Sequence, residues 1–181
     1  MKNLVFVADF FLEQGVTGGA EVCNDELIGL FIDNGHSVEK INSHLLNLEQ
    51  IQSDKFYIVA NFMNLSETNK KAFEQARYVI LEHDHKYVST NDPSKFVNML
   101  APNSKIINRS FYEKAAAVLC QSKIHAETLQ KNLLINHVVN LGGNLWSDTK
   151  LEHLSSLIGT KKTRKNAVMH SNNKNKGMSH A

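Results

Sequence analysis

Short apolar runs alternate with segments of helical character along this chain, and this alternation limits the possible fold more than any other feature. The six predicted strands are Leu4–Asp9, Ser37–Ile41, Phe56–Asn61, Tyr78–Glu82, Ala117–Ser122 and Asn136–Leu141. The predicted helices are Gly19–Asn34, Glu67–Ala76 and Lys123–Leu133. Strands that alternate with helices are joined by crossover connections. The pattern therefore predicts an α/β fold with a doubly wound, mostly parallel, Rossmann-like sheet and helices on both faces.

One long segment interrupts this alternation. Residues 83–108 lack a clear period and contain both prolines of the chain, Pro93 and Pro102. Irregular segments of this length in compact domains are usually functional. We therefore expect residues 83–108 to cross the carboxyl edge of the sheet, where ligands bind in folds of this class.

Length and composition exclude several classes of protein. The 181 residues provide one core of ordinary size and part of a second, and the net charge of +2 is too small to indicate a nucleic-acid partner. The sequence has no apolar run long enough to span a bilayer and no signal-peptide pattern. Its two cysteines, Cys23 and Cys120, lie in apolar surroundings and predict buried free thiols in a reducing compartment. These features predict a cytoplasmic protein.

A glycine loop, Gly15 to Gly19, follows the first strand and precedes the first helix. Free backbone N–H groups at such a helix start favour an anion. A P-loop would need Lys and Ser or Thr after its last glycine, whereas Ala20 and Glu21 follow here. A dinucleotide site would need a different glycine spacing and an acidic residue after the second strand, where the sequence has Asn42.

Glu21 limits what the loop could bind. Its carboxylate suits the positive end of the helix dipole, but it would repel a phosphate buried deep at this terminus. We therefore expect the loop to be one wall of an open cleft that contributes a few backbone contacts. The alternative is a glycine turn that only allows close packing of strand on helix.

Several short motifs occur in a fixed order: a loop that ends in Gly18-Gly19-Ala20-Glu21, then Gly35-His36, the strand end "YVILEHDH", the segment "AAAVLCQSKIHAETL" and the loop "VVNLGGNL". This order resembles the first domain of a GT-B-fold glycosyltransferase of the large retaining family 4. The family's usual Asn-Gly-Val-Asp stands here as Gly142-Gly143-Asn144-Leu145. Each motif has low specificity alone, and the resemblance covers nearly the whole chain.

The resemblance implies a transferase that moves a sugar from a nucleotide-sugar donor to a carbohydrate, lipid or other acceptor. It implies no metal and no organic cofactor, and a location in the cytoplasm or peripheral to a membrane. By resemblance, His83 is the catalytic candidate, and the backbone of Gly18 and Gly19 contacts the donor diphosphate or sugar. Asp84, His85 and Tyr87 are candidate contacts to the acceptor or the sugar.

The resemblance also concerns the domain organisation. It implies an acceptor-side domain at residues 1–160 and, at 161–181, a linker with the start of a second, nucleotide-sugar-binding domain. The segment "NAVMHSNNKNKGMSHA" is similar to that second domain's first strand and loop. On this reading, the fragment alone is inactive. The alternative is a polar tail.

The position of His83 relative to the predicted sheet also favours a role in the ligand crevice. His83 follows the fourth strand, and residues just past the carboxyl ends of parallel strands line the ligand crevice. In the strand order 3-2-1-4-5-6, strands one and four would flank the point where the order reverses. We therefore expect His83 to project into the cleft within reach of the loop at Gly18 and Gly19, with His85 as the second choice.

Other functions stay open at this stage. His83, Asp84 and His85 could ligate a metal, but further ligands at a recognised spacing are absent from the sequence. A stand-alone Rossmann-like binding domain without catalysis fits the same alternation, as does a protein related to the sugar-nucleotide 2-epimerases. The Gly-Gly-Ala-Glu loop fits the epimerases less well.

Overall fold

The computed structural model describes residues 2–16 and 18–159. The strands are β1 (Asn3–Ala8), β2 (Ser37–Asn42), β3 (Phe56–Ala60), β4 (Arg77–Glu82), β5 (Ala117–Cys120) and β6 (Val138–Asn140). The helices are α1 (Gly19–Asp33), α2 (Glu67–Phe73), α3 (Arg109–Lys114), α4 (Lys123–Leu133) and α5 (Asp148–Ser156). The strands form one six-stranded sheet in which every neighbouring pair is parallel. The predicted α/β class is confirmed.

The strand order is β2-β1-β3-β4-β5-β6, so the order 3-2-1-4-5-6, on which the expected flanking of the reversal point by strands one and four depended, is wrong. Strand β3 lies between β1 and β4, and the order reverses between β1 and β3. The residues of β3 are almost all buried, as a central strand requires, whereas β2 exposes Glu39 and Lys40. A strand with charged side chains is better placed at the edge of a sheet, where it discourages pairing with other chains.

The two faces of the sheet carry different helices. On one face, Ile28 of α1 packs with Phe6 and Ile58. On the other face, α2, α3 and α4 contribute Phe73, Phe111 and Leu129 to a larger core. Helices on both faces are the expected result of parallel crossover connections.

Residues 83–108 contain three short 3-10 turns, Pro93–Lys95, Val97–Met99 and Asn103–Lys105. A single antiparallel bridge joins Val88 to Ile106, so the two ends of this segment are held together. The segment begins at the carboxyl end of β4, as predicted. The sequence pattern did not reveal α3, which follows at once and has only six residues, too few to show a helical period.

The described residues divide into two compact units, one that extends to Trp146 and one that begins at Ser147. Helix α5 belongs to the second unit, and Ser147 caps it by accepting a hydrogen bond from the backbone N–H of Lys150 at 3.4 Å. The predicted start of a further domain, residues 161–181, lies outside the described residues. Within the described part of the chain, no helix combines the length and the apolar character that a membrane crossing needs.

Candidate functional site

Polar side chains follow the carboxyl ends of four neighbouring strands. Asp9 follows β1, Asn61 follows β3, His83 follows β4 and Gln121 follows β5. Because the strands are parallel, these four positions lie along the same edge of the sheet, the edge at which open α/β folds bind ligands. Helix α1 begins at this edge and supplies further polar groups.

Gly18 is the N-cap of α1, and its backbone is extended, with φ −87° and ψ 166°. Neither Gly18 nor Gly19 has a positive φ, so backbone strain is not the reason for glycine here. A Cβ on Gly18 would collide with the carboxylate of Glu21, whereas a Cβ on Gly19 would meet no atom within 4 Å. Glycine at position 18 therefore lets the Glu21 carboxylate fold back over the start of the helix.

The carboxylate of Glu21 also accepts a hydrogen bond from Asn61 Nδ2 at 3.2 Å. Glu21 is only 8% exposed, and its partner Asn61 directly follows β3, one of the two strands between which the order reverses. The Glu21 carboxylate therefore lies buried at the start of α1, beside Gly18.

His83 is held by both of its ring nitrogens. Gln121 Nε2 donates to Nδ1 at 2.7 Å, so the ring proton is on Nε2, which donates to Asn24 Oδ1 at 3.1 Å. Asn24 lies on α1, little more than one turn after Gly19. Burial, with the nearby positive charge of Lys86, lowers the pKa of His83 to about 4. The structure therefore brings a neutral imidazole at the end of β4 into contact with α1.

The other candidates beside His83 are in different surroundings. Asp84 is exposed and binds Lys86 Nζ through Oδ2 at 3.4 Å. His85 is half-buried, and its Nδ1 lies 2.9 Å from the hydroxyl of Tyr87, which is fully buried. The ring of His85 lies 4.2 Å from that of His125. Burial, with the neighbouring His125, lowers the pKa of His85 to about 4.

Glu82, the last residue of β4, is a completely buried carboxylate. It accepts hydrogen bonds from the Tyr112 hydroxyl and from the backbone N–H of Asp84 at 2.9 Å, and Lys86 Nζ lies 3.5 Å away. Burial opposes the charged form, but Lys86 and these donors outweigh it and keep the pKa of Glu82 below its ordinary value. Burial and the Glu82 charge raise the pKa of Tyr112 well above its ordinary range.

Five polar residues of this edge were missed from the sequence: Asp9, Asn24, Asn61, Gln121 and His125. Three of them carry a buried atom without a hydrogen-bond partner among the described residues, namely Asn24 Nδ2, Asn61 Oδ1 and His125 Nε2. Buried polar atoms are normally paired, so unpaired ones mark a position where water or a ligand bonds. The position of Asn61 and Gln121 directly after a strand was the signal that could have identified them.

The carboxyl edge does not assemble the ligand set of a metal. Across residues 2–16 and 18–159, no cluster of three or more histidine, cysteine or acidic side chains is arranged to hold a metal ion. Both cysteines are buried and free, and burial raises the pKa of the Cys120 thiol to about 12, which keeps it protonated and unreactive.

No protein-family model and no curated protein matches this chain. Solved structures of an alpha-glucosyltransferase are similar to it. One, in complex with UDP and a 13-mer DNA with an HMU base, has a TM-score of 0.47, 14% identity, and coverage of 83% of this chain and 46% of that one. Another, with UDP and a 13-mer DNA with a central A:G mismatch, has a TM-score of 0.45, 15% identity, and coverage of 77% and 40%. A third, in complex with UDP, has a TM-score of 0.43, 14% identity, and coverage of 81% and 42%. The chain thus spans less than half the length of each.

Proposed function

We propose that this chain is the acceptor-side half of a GT-B-fold glycosyltransferase that uses a nucleotide-sugar donor. The observation that carries the proposal is the contact between His83 and helix α1. The Gly18-Gly19-Ala20-Glu21 loop and the His83-Asp84 strand end are two motifs of the retaining family 4 pattern, separated by more than sixty positions in the sequence. The hydrogen bond from His83 to Asn24 supports the proposal, because it joins the strand end to the helix that the glycine loop begins, three residues after Glu21.

The reaction sets the demands on this edge. The acceptor hydroxyl oxygen bonds to the anomeric carbon of the sugar, and the bond from that carbon to the phosphate oxygen breaks. The electron pair of the broken bond goes to the departing diphosphate, and the acceptor's proton leaves with it or with a base. Positive charge develops on the sugar and negative charge on the phosphate, so positioned hydrogen-bond donors and acceptors accelerate the step.

The residues of this edge suit these demands in different ways. A Cβ on Gly19 would meet no atom within 4 Å, and in this role the backbone N–H groups at the start of α1 bind the diphosphate. His83 is neutral near pH 7, since its pKa is about 4. In this role, its Nε2–H exchanges Asn24 for a sugar hydroxyl and acts as a hydrogen-bond donor. Asp84 and His85 border the acceptor, and the buried Tyr87 orients His85.

A screen of the full-length protein tests the proposal. Nucleoside diphosphate release and product mass are measured for a panel of nucleotide sugars, each with saccharide and lipid acceptors. We expect transfer with one donor class, with His83→Ala lowering turnover about 10²-fold, the scale for one positioned group. His153→Ala, a change at an exposed histidine of α5, is the matched control and leaves turnover unchanged.

Failure to transfer from every donor to every acceptor contradicts the proposed function and favours a binding domain without catalysis. If the rate of transfer is unchanged in His83→Ala, the transferase activity is supported, but His83 has no role in it.

A further inference from the structure

A polar groove of about 550 Å³ lies beside the candidate site, between two loops at the carboxyl edge of the sheet. One wall is the segment after β2, which includes Ser43, His44 and Glu49. The other is formed by the β3–α2 connection, which includes Asn64, and by the first turn of α2, which includes Thr68. The volume falls within the range of small-molecule sites, roughly 300–1,000 Å³. The groove is therefore large enough for a ligand and lies where the sheet would present one.

Buried polar groups hold the two walls in a set position. Asp9 accepts hydrogen bonds from the Ser43 hydroxyl in one wall and from the backbone N–H of Met63 at 2.9 Å and of Asn64 at 3.0 Å in the other. Asn69 Nδ2 donates to the carbonyl of Leu46 at 2.8 Å and ties the walls a second time. Fixed walls reduce the ordering that a ligand would otherwise impose, which favours binding.

The side chains that face outward from these walls remain available. His44, Asn64 and Thr68 are exposed, and within the described ranges of the chain their side chains form no hydrogen bond. Amide and hydroxyl groups both donate and accept, which matches the capacity of a sugar hydroxyl. Leu48, half exposed in the same groove, provides an apolar surface for the carbon face of a sugar ring.

The charge of the lining narrows the class of ligand. The lining contains one carboxylate, Glu49, and neither lysine nor arginine. Recognition of a phosphate or carboxylate normally relies on Arg or Lys. A groove at the opposite edge of the sheet, by contrast, has Lys2, Lys55 and Arg77 in its lining.

We propose that this groove binds a neutral, uncharged saccharide and that, given the proposed function, it is the subsite that holds the acceptor. Thr68 and Asn64 bind its hydroxyls on one side, and His44 binds it on the other. Acidic saccharides and lipid phosphates bind worse, because Glu49 opposes them and the lining offers no cationic partner.

The matched control comes from the chain itself. Thr68 is the second residue of α2, after the cap Ser66 and an acidic first residue, Glu67. Thr149 is the second residue of α5, after the cap Ser147 and an acidic first residue, Asp148. Thr68→Val and Thr149→Val therefore remove the same hydroxyl at the same helical position, and only the first lies in the groove.

The experiment measures binding of the full-length protein to an array of neutral and acidic oligosaccharides, and the acceptor KM where transfer occurs. We expect neutral glycans to bind and Thr68→Val and Asn64→Ala each to weaken binding about three- to tenfold, the scale of one hydrogen bond. Thr149→Val has no effect, and the KM for the nucleotide sugar is unchanged in all three variants.

Binding of acidic over neutral glycans, absence of binding by any neutral glycan, or an equal effect of Thr68→Val and Thr149→Val overturns the inference. Its failure is separable from that of the proposed function. If glycans bind in a groove-dependent way but no sugar is transferred, only the proposed transferase activity is contradicted. If sugar is transferred but the groove variants leave the acceptor KM unchanged, only the assignment of the groove as the acceptor subsite is contradicted.

Discussion

At the scale of single residues, the glycine loop works differently from a phosphate-binding loop. Gly18 lacks a side chain because the Glu21 carboxylate occupies the space where a Cβ would lie. That carboxylate accepts a hydrogen bond from Asn61 and lies at the start of α1, where negative charge is favourable. Gly18 and Gly19, adjacent in the sequence, therefore differ in their surroundings: the first accommodates the Glu21 side chain, whereas a Cβ on the second would meet no atom within 4 Å.

Substitution by alanine at the two glycines tests this difference. In Gly18→Ala the carboxylate of Glu21 must shift, which weakens its hydrogen bond with Asn61, so we expect the free energy of unfolding to fall by about 1 kcal/mol. Gly19→Ala should be neutral or stabilising by up to about 1 kcal/mol, because alanine is the better helix former. Urea denaturation of both variants measures the difference.

The double variant Gly18→Ala/Glu21→Ala is the control for this mechanism. If the collision with Glu21 is the cause, Gly18→Ala costs less stability when Glu21 is already alanine. An equal cost in both backgrounds would show that the N-cap itself, not the carboxylate, requires glycine.

At the scale of elements, the end of β4 is built around a buried charge. The chain turns directly after Glu82, so that Lys86 faces the Glu82 carboxylate. The backbone N–H of Lys86 donates to this carboxylate at 3.3 Å, and the ammonium group of Lys86 lies 3.5 Å from it. Tyr112 of α3 adds its hydroxyl, and Asn108 donates to the Lys86 carbonyl at 2.8 Å. The ion pair thus fixes the turn that carries His83 and His85 and connects it to α3.

Lys86→Met removes the positive partner and leaves the Glu82 carboxylate buried without a counter-charge. We expect a loss of about 3–5 kcal/mol of unfolding free energy, the usual cost of breaking a buried pair from one side. The double variant Glu82→Gln/Lys86→Met removes both charges and keeps the shape of the acid, so it should lose less. Chemical denaturation of the two variants tests this, and a double variant less stable than Lys86→Met would refute the role of charge.

At the scale of the whole molecule, packing on both sides of the sheet keeps several histidines of the carboxyl edge neutral. The pKa of both His83 and His85 is lowered from 6.5 to about 4, mainly by burial. Lys86 adds to the effect at His83 and His125 adds to it at His85, while Glu82 and Asp84 oppose it at both rings and Asp92 also opposes it at His85. Folding therefore favours the unprotonated rings.

The pH dependence of stability follows from these values. Between pH 6.5 and 4 the unfolded chain binds protons that the folded chain does not. The unfolding free energy is therefore at its full value above about pH 6.5 and falls as the pH falls towards 4, by up to about 1.4 kcal/mol per pH unit for each histidine. Thermal melting across this range should show the decline.

The variant His83→Gln/His85→Gln should make this decline shallower, because neither position can then bind a proton. His125, whose pKa is also lowered by burial, still contributes to the decline. His153→Gln, at an exposed position, should leave the slope of the parent unchanged. A stability that is constant between pH 6.5 and 4, or a slope that the double variant does not change, would contradict the explanation.

Much of the fold could be predicted because it depends on local pattern. The near-continuous apolar run Phe56–Asn61 and the 3.6-residue period of the capped helix Lys123–Leu133 are patterns that a sequence displays directly. Helix α4 has the predicted bounds, and each strand lies within two residues of its prediction at either end. The position of His83 directly after β4 could likewise be predicted, because it depends only on where the strand ends. The contact of its ring with Asn24 could not be predicted from the sequence, because it joins two distant segments.

The sequence by itself determined the α/β class, the parallel sheet and the positions of the strand ends, because hydrophobic periodicity and glycine placement are local properties. Only the tertiary structure decided that β3 lies between β1 and β4, that the Glu21 carboxylate lies beside Gly18, and that Asp9 joins two loops into a groove. These depend on which side chains meet across more than thirty residues of chain. These long-range contacts are stabilised by burial and by hydrogen bonds between segments that are distant in the sequence. A local sequence pattern does not contain that information.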